Sequence, residues 1–244
     1  MKKIRTQLQM VFQDSYSSLN PRKHIYEILS QPMLYHHIST PETVSKDVDQ
    51  ILDMVGLSRN VLEDTRTNFP ADNGRESGLP SAVLKPRFLV CDEPVSALDV
   101  SIQAQILNLL RQLQKDLHLT SLFVGHGLGA VNYVSDRIAV MYLGKIVELG
   151  KAEEVFHSPV HPYTKALINA VPVPDPDKAA KEQELLQGEI GSSTNPPAGC
   201  RFHPRCPYAR ESCRHEEPEM LETSPGSGHM AACPVVVKKE EARS

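Results

Sequence analysis

The chain alternates between short runs of consecutive apolar residues and longer stretches in which apolar positions recur every three or four residues. Residues 88–91 form one such run, which stops abruptly at Asp92 and Glu93. This pattern is typical of a buried parallel strand whose acids emerge at its carboxyl end. Residues 120–124 predict a second buried strand, and residues 7–13 predict a shorter one near the start.

Helical spacing predicts most of the remaining elements. One helix is expected over residues 25–37, interrupted near Pro32, and another over residues 44–55, with Gly56 as its stop. After Asp99 a single apolar stripe predicts a long amphipathic helix. Downstream, the pattern predicts a β-hairpin with strands at 137–142 and 145–149, and a short helix at 151–157.

Strands that alternate with helices predict an α/β fold, in which ligands bind at the carboxyl ends of the strands. Asp92 and Glu93 therefore predict a site in which one carboxylate holds Mg²⁺ and the other polarises a water molecule. The alternative is an ordinary strand end whose acids are solvated. Gln13 and His126 also follow predicted strands, although each alone would be a simple polar residue of a strand end or a loop.

Composition narrows the class of protein. Charged residues make up 23% and hydrophobic residues 40%, which indicates a globular domain, and the net charge of −4 gives no case for nucleic-acid binding. The sequence contains no apolar run of membrane-spanning length. The amino-terminal segment is basic but has no apolar core, so no secretory signal is expected and the chain is predicted to be cytosolic.

The cysteines are unevenly placed, because Cys91 lies in a predicted strand and the others crowd the last fifth of the chain. In a reducing compartment such a cluster indicates metal rather than disulfides. The candidate ligands are Cys200, Cys206, Cys213 and Cys233. Their spacing differs from the C-x2-C of zinc sites and favours an iron–sulfur cluster over zinc, with four unligated thiols as the alternative. His203 and His215 are either substitute ligands or ordinary surface residues.

Composition also predicts the domain boundaries. Residues 1–170 are expected to form the α/β domain with a helical subdomain, and the Pro-rich and then charged residues 171–195 are expected to be a linker. Residues 196–236 would form a small cysteine-bearing module. Residues 237–244 are expected to be disordered.

Several motifs together resemble the ATP-binding subunits of ABC transporters, and most closely the oligopeptide/dipeptide importer branch. The resemblance is carried by FQDSYSSLNPR, DEPVSALDVSIQAQILNLL, VMYLGKIVELG, HPYTKAL and NPPAGCRFHPRCPYA. It implies a P-loop NTPase fold that binds ATP and Mg²⁺. In that branch the cysteine-bearing tail is similar to one that can carry a [4Fe–4S] cluster.

The resemblance assigns a role to each motif residue. Gln13 matches the Q-loop glutamine and Asp92 the Walker B aspartate, both of which help to hold Mg²⁺. Glu93 matches the catalytic glutamate that activates the attacking water, and His126 matches the switch histidine that contacts the γ-phosphate. Asp99 matches the D-loop aspartate at the interface with a second ATPase subunit.

Two departures from the family pattern are visible. The P-loop pattern G-x-x-x-x-G-K-[ST] occurs nowhere in the sequence, and little sequence precedes Gln13, so an amino-terminal truncation and a partial ABC ATPase domain are expected. The signature motif is also absent, because FPADNGRESGLPS stands where the family has a sequence like FSGGQRQRIGIAR. Removing one T from suitable codons for the family sequence yields codons for residues 69–80 without a mismatch. We therefore expect a frame-shifted signature, which resequencing of the locus would test.

The resemblance implies an ATP-hydrolysing subunit that energises import of oligopeptides or dipeptides, impaired by the missing P-loop and signature. The alternatives are a non-catalytic fragment or pseudogene product, and a metal-binding regulatory module. Expected partners are a second ABC ATPase subunit, transmembrane permease subunits and, indirectly, a peptide-binding protein, with no nucleic acid. The expected location is the cytoplasmic face of the cell membrane, as a peripheral protein.

Overall fold

A computed structural model describes residues 2–13, 20, 22–63, 84, 86–96, 98–171 and 191–235, with the side chains of Lys2, Lys3 and Arg5 excluded. The chain divides into two compact units, Met1–Val134 and Ser135–Ser244, and each is described by itself. The predicted domain boundaries at 170 and 196 stay a prediction. Most of the predicted linker, the predicted tail and the altered signature lie outside the described residues.

The first unit contains a three-stranded parallel sheet in the order β1–β2–β3. Its strands are β1 (Leu8–Val11), β2 (Phe88–Asp92) and β3 (Thr120–Val124). The α/β prediction is confirmed, as are the positions of the second and third strands. The first strand is shorter than predicted, because the chain before it is helical over Lys2–Gln7 (α1).

The two faces of this sheet differ in burial. Val11, Leu89 and Cys91 are buried against apolar residues of the helix that follows Asp99. On the opposite face Met10 and Leu122, which flank Val90 in register, are 41% and 52% exposed. The prediction that β3 is a buried strand is therefore wrong, because its alternate residues Thr120, Leu122 and Val124 are exposed.

The helices of the first unit are α2 (Ile25–Tyr35), α3 (Val44–Val55), α4 (Val100–Asp116) and α5 (Leu128–Val134). A second apolar core joins α2 and α3 to the later turns of α4. As predicted, Gly56 ends α3, with a positive φ of 70°. The predicted interruption at Pro32 is wrong, since α2 runs through it. Although Pro32 cannot donate a helix hydrogen bond, the fully buried Leu29 and Met33 anchor the helix on both sides of it.

The second unit is built on an antiparallel sheet in the order β4–β5–β7–β6. Its first hairpin is the predicted one, with β4 (Arg137–Tyr142) and β5 (Lys145–Lys151) joined at Leu143 and Gly144. The remaining elements are α6 (Ala152–His157), α7 (Pro162–Asn169), a 3-10 helix (His203–Arg205), α8 (Ser212–His215), β6 (Leu221–Glu222) and β7 (Met230–Ala231).

An aromatic cluster forms part of the core of the second unit. Phe202 is 1% exposed and its ring lies 5.2 Å from that of Tyr142, 5.5 Å from that of Tyr163 and 5.6 Å from that of His161. Rings at these distances stabilise a fold by more than their buried area alone. The cluster therefore ties the cysteine-bearing segment to the hairpin and α7 within one unit.

Candidate functional site

The carboxyl edge of the parallel sheet gathers most of the predicted site residues. Asp92 is the last residue of β2 and is half-buried, and Glu93 follows it directly. Gln13 comes just after β1 and His126 just after β3. Because the three strands are parallel, their carboxyl ends meet at this edge, where α/β folds bind ligands.

Glu93 is held in an uncommon backbone conformation. Its φ is +46°, in the left-handed region that side chains rarely adopt. Its backbone N–H donates to the carbonyl oxygen of Val124 on the neighbouring strand at 2.9 Å. Its own carbonyl accepts from the backbone N–H of Ser96 at 3.3 Å and from the Ser96 hydroxyl at 3.0 Å. Both backbone groups are thus fixed, and the strain is of the kind that clusters at functional sites.

Two side chains from the neighbouring strand ends converge on one oxygen of Glu93. The Gln13 side-chain amide donates from Nε2 to Glu93 Oε2 at 3.2 Å. His126 Nδ1 lies 3.4 Å from the same oxygen and forms an ion pair with it when the imidazole is protonated. The side chains of His126 and Glu93 are 74% and 29% exposed, so substrate and solvent can reach the cluster.

A cavity of about 180 Å³ opens beside this cluster. Glu93, His126 and Ser96 contribute polar groups to its wall, whereas Val95 and Phe123 contribute apolar surface. A carboxylate at the wall of such a cavity can accept a proton from a water molecule, and the neighbouring amide and imidazole can orient it. The arrangement suits activation of water for hydrolysis.

Asp99 caps a helix in this structure. Its Oδ1 accepts from the backbone N–H of Ile102 at 2.9 Å, which caps the amino terminus of α4. The structure therefore brings Gln13, Glu93 and His126 into contact, but accounts for Asp99 as a helix cap.

Sequence reasoning missed Ser96 and the carbonyl of Val124, which together fix the backbone of Glu93. A hydroxyl three residues after a strand-end acid is a local signal that a turn follows, and it could have identified Ser96. No local signal identifies Val124, because its contact with Glu93 depends on the pairing of β2 with β3.

The cysteine-bearing segment folds tightly in the second unit. The Cys200 N–H donates to the carbonyl of Cys213 at 2.8 Å. Gly199 lies beside that carbonyl with φ +65°, and a Cβ there would approach the oxygen to 2.5 Å. The close approach of these two backbone stretches therefore requires glycine.

Burial raises the pKa of the Cys200 thiol, and it raises that of Cys206 to about 11. Other cysteines of the segment add to both increases. Among the described residues, however, no three or more His, Cys, Asp or Glu side chains are arranged to hold a metal ion.

The two candidate substitute ligands have other contacts. His203 Nδ1 lies 2.9 Å from the carbonyl oxygen of Cys200, and His215 Nε2 lies 3.2 Å from Glu211 Oε1. Both contacts match those of ordinary structural or surface histidines.

Among the helices of the described ranges, none has the length and apolar character needed to cross a membrane.

Comparisons with known proteins identify relatives of this chain. The family model described as "Oligopeptide/dipeptide transporter, C-terminal region" matches residues 147–213. The oligopeptide transport ATP-binding protein OppF of Salmonella typhimurium is 46% identical over 220 residues, which cover 89% of this chain and 66% of that protein. AppF of Bacillus subtilis, also an oligopeptide transport ATP-binding protein, is 42% identical over 234 residues, which cover 95% of this chain and 70% of AppF.

A solved structure is also similar. CbiO1 from Clostridium perfringens, described as part of the ABC transporter complex CbiONQ, matches with a TM-score of 0.57 and 27% identity. The match covers 64% of this chain and 61% of CbiO1. The chain thus has part of the ABC ATPase fold, and it spans just under two thirds of the length of OppF.

Proposed function

Since the chain belongs to the family of oligopeptide-transport ATP-binding subunits of ABC transporters, we propose that it is an ATP-hydrolysing subunit that energises import of oligopeptides or dipeptides. The observation that carries this proposal is the convergence of Gln13 and His126 on Oε2 of Glu93 at the carboxyl edge of a parallel sheet. A carboxylate held between an amide donor and an imidazole is suited to activating water.

Each side chain of the cluster has a role in this proposal. Glu93 accepts a proton from the attacking water, and Gln13 orients its carboxylate. His126 contacts the terminal phosphate of ATP. Asp92 and Gln13 would hold Mg²⁺, for which carboxylate and amide oxygens are suitable ligands. When bound, Mg²⁺ neutralises charge on the phosphates.

The proposed partners follow from the family. Asp99 lies at the start of α4, and we place it at the interface with a second ATP-binding subunit, in addition to its capping role. Transmembrane permease subunits would carry the peptide, and a peptide-binding protein would act through them. The chain would then be peripheral to the membrane, on its cytoplasmic face.

A second candidate function rests on a specific observation in the sequence. The P-loop pattern, whose backbone N–H groups and lysine hold the phosphates, is absent from the 244 residues. The residues present therefore fit the magnesium and water half of an ATP site but supply no phosphate cradle. This favours weak nucleotide binding, and the second candidate is a non-catalytic relative of the ATPase subunits.

An assay of ATP hydrolysis by the purified chain separates these candidates when it is run beside Glu93→Gln and the control Glu153→Gln, an exposed residue of α6. An active subunit should lose about a hundredfold of its turnover with Glu93→Gln and keep it with Glu153→Gln. Turnover that Glu93→Gln leaves unchanged would contradict the catalytic role. A chain that neither binds nor hydrolyses millimolar-range ATP would establish the non-catalytic candidate.

For the cysteine segment we propose a structural metal centre, either a [4Fe–4S] cluster or zinc. The support is the donor set, since four thiols lie in one short segment whose backbone is tied together between Cys200 and Cys213. The thiols must rearrange to bind, because no ready-made group exists among the described side chains. Metal and sulfide analysis with a visible absorption spectrum tests the proposal, and folded protein that is colourless and free of both iron and zinc would contradict it.

A further inference from the structure

A buried carboxylate with no part in the proposed ATP site lies at the centre of the second unit. Glu148 belongs to β5 and has no exposed surface. A buried carboxylate is tolerated only when hydrogen bonds replace its water. Its Oε1 accepts from the backbone N–H of Val160 at 2.8 Å, and its Oε2 accepts from that of His161 at 2.9 Å.

The third donor to Glu148 comes from the far end of the described chain. His229 Nε2 lies 2.8 Å from Glu148 Oε1, and the His229 side chain is 7% exposed. The ring lies close to the backbone of Gly150, where a Cβ would approach its Cδ2 to 2.8 Å. The position of the imidazole therefore depends both on its contact with the Glu148 carboxylate and on the absence of a side chain at Gly150.

His229 begins a short segment, residues 229–235, that returns to the hairpin and that we name the strap. Met230 and Ala231 of the strap lie between β5 and β6 and pair with both, and one further backbone bond joins Ala232 to Val147. The buried apolar side chains of the strap are small, apart from Val235. The buried contact between His229 and Glu148 therefore adds to a two-residue pairing in holding the strap to β5.

The strap also carries Cys233, which is 9% exposed. We propose that the contact between His229 and Glu148 is a latch, which docks the strap on the hairpin and so keeps the Cys233 thiol buried near the other three thiols. When the latch opens, the strap leaves β5 together with β6, which is paired to it, and Cys233 becomes accessible while the hairpin and α7 stay folded. The docking does not depend on the metal centre proposed above.

Two size-matched substitutions isolate the latch. His229→Leu removes the donor and leaves the buried carboxylate of Glu148 short of a partner, whereas His229→Gln keeps an N–H near the position of Nε2. Gly150→Ala opens the latch from the other side, because its methyl group would collide with the imidazole. None of these residues belongs to the proposed ATP site or to the four cysteines.

The measurement is the rate at which iodoacetamide alkylates Cys233 in metal-free protein, read by mass spectrometry. We expect a rise of about tenfold or more in His229→Leu and Gly150→Ala, and a rate near that of the unaltered protein in His229→Gln. Hydrogen exchange of α7 should stay unchanged in all three, which separates release of the strap from unfolding of the unit. Buried Cys91, in the other unit, provides a second control.

Unchanged alkylation of Cys233 in His229→Leu would overturn the proposal. The proposal would also be overturned if hydrogen exchange of α7 accelerated as much as the alkylation of Cys233, because the contact would then stabilise the whole unit rather than the strap. If metal analysis finds neither iron nor zinc while the alkylation rates change as expected, the proposed metal centre is contradicted and the proposed latch stands.

Discussion

The backbone N–H of Glu93 donates to the carbonyl oxygen of Val124 across 2.9 Å, and Glu93 adopts a φ of +46° as it does so. The contact joins the end of one strand to the end of its neighbour. It turns the chain sharply at the residue whose carboxylate meets Gln13 and His126. The backbone strain and the candidate chemistry therefore coincide at a single residue.

This coincidence predicts a conflict between stability and activity. A left-handed φ costs a residue with a side chain about 1 kcal/mol relative to glycine. We expect the free energy of unfolding of the Glu93→Gly variant, measured with denaturant, to be about 1 kcal/mol higher than that of the matched Glu93→Ala variant. Both variants should lack any hydrolysis that depends on Glu93. Equal stability of the two would show that the backbone is unstrained.

The two roles given to Asp99 can be separated. Asp99→Ala removes the cap of α4 and should lower the free energy of unfolding by about 1 kcal/mol. Asp99→Asn keeps a side-chain oxygen for the Ile102 N–H, so its stability should match that of the unaltered chain. A loss of ATP hydrolysis in Asp99→Asn would then report on a subunit interface. Equal destabilisation by both substitutions would argue against the cap.

The second unit should lose stability in mild acid because of His161. Burial lowers the pKa of its imidazole from 6.5 to about 4. Between these values the unfolded chain binds a proton that the folded chain does not, so stability falls as the pH drops from about 6.5 towards 4. The expected slope is about 1.4 kcal/mol per pH unit.

The variant His161→Asn isolates this effect. Asparagine does not titrate, and its side-chain oxygen can replace His161 Nδ1 as acceptor for the Tyr163 N–H at the start of α7. Calorimetric melting at several pH values should show a weaker pH dependence in the variant than in the unaltered chain. Parallel curves would mean that the pKa of His161 is the same in the folded and unfolded chains.

The proposed metal centre predicts different outcomes for two buried cysteines. Cys233→Ala should lower the bound metal by well over half, because a four-thiolate site loses a ligand. Cys91→Ala, in the parallel sheet, should leave the metal content unchanged. Elemental analysis of both purified variants makes the comparison. Equal metal content would place any bound metal elsewhere in the chain.

Patterns of neighbouring residues in the sequence predicted the elements whose formation depends on those residues alone. The strand ending at Asp92, the helix capped by Asp99 and the hairpin turn at Gly144 all follow from neighbouring residues. The predictions that were wrong depended on distant partners. Pro32 stays helical because Leu29 and Met33 are buried in a core built partly by α4.

The candidate site divides in the same way. Its members could be chosen from the sequence, because polar residues after buried strands mark the ligand-binding edge of an α/β sheet. The convergence of Gln13 and His126 on one oxygen of Glu93 could not be predicted from the sequence, because it depends on strand order and on the left-handed backbone of Glu93. The latch at Glu148 and His229 carries no sequence signal, because the two residues meet only through the fold.

The exposed face of the parallel sheet has a practical consequence for anyone who handles the protein. Parallel sheets are normally covered on both sides, yet Met10 and Leu122 present their side chains to water. Such a surface should take up a fluorescent apolar dye under native conditions and promote self-association as concentration rises. Exchanging both residues for threonine should reduce dye uptake, and light scattering should then show fewer aggregates at the same concentration. One side of three short strands would then govern how the protein associates in solution.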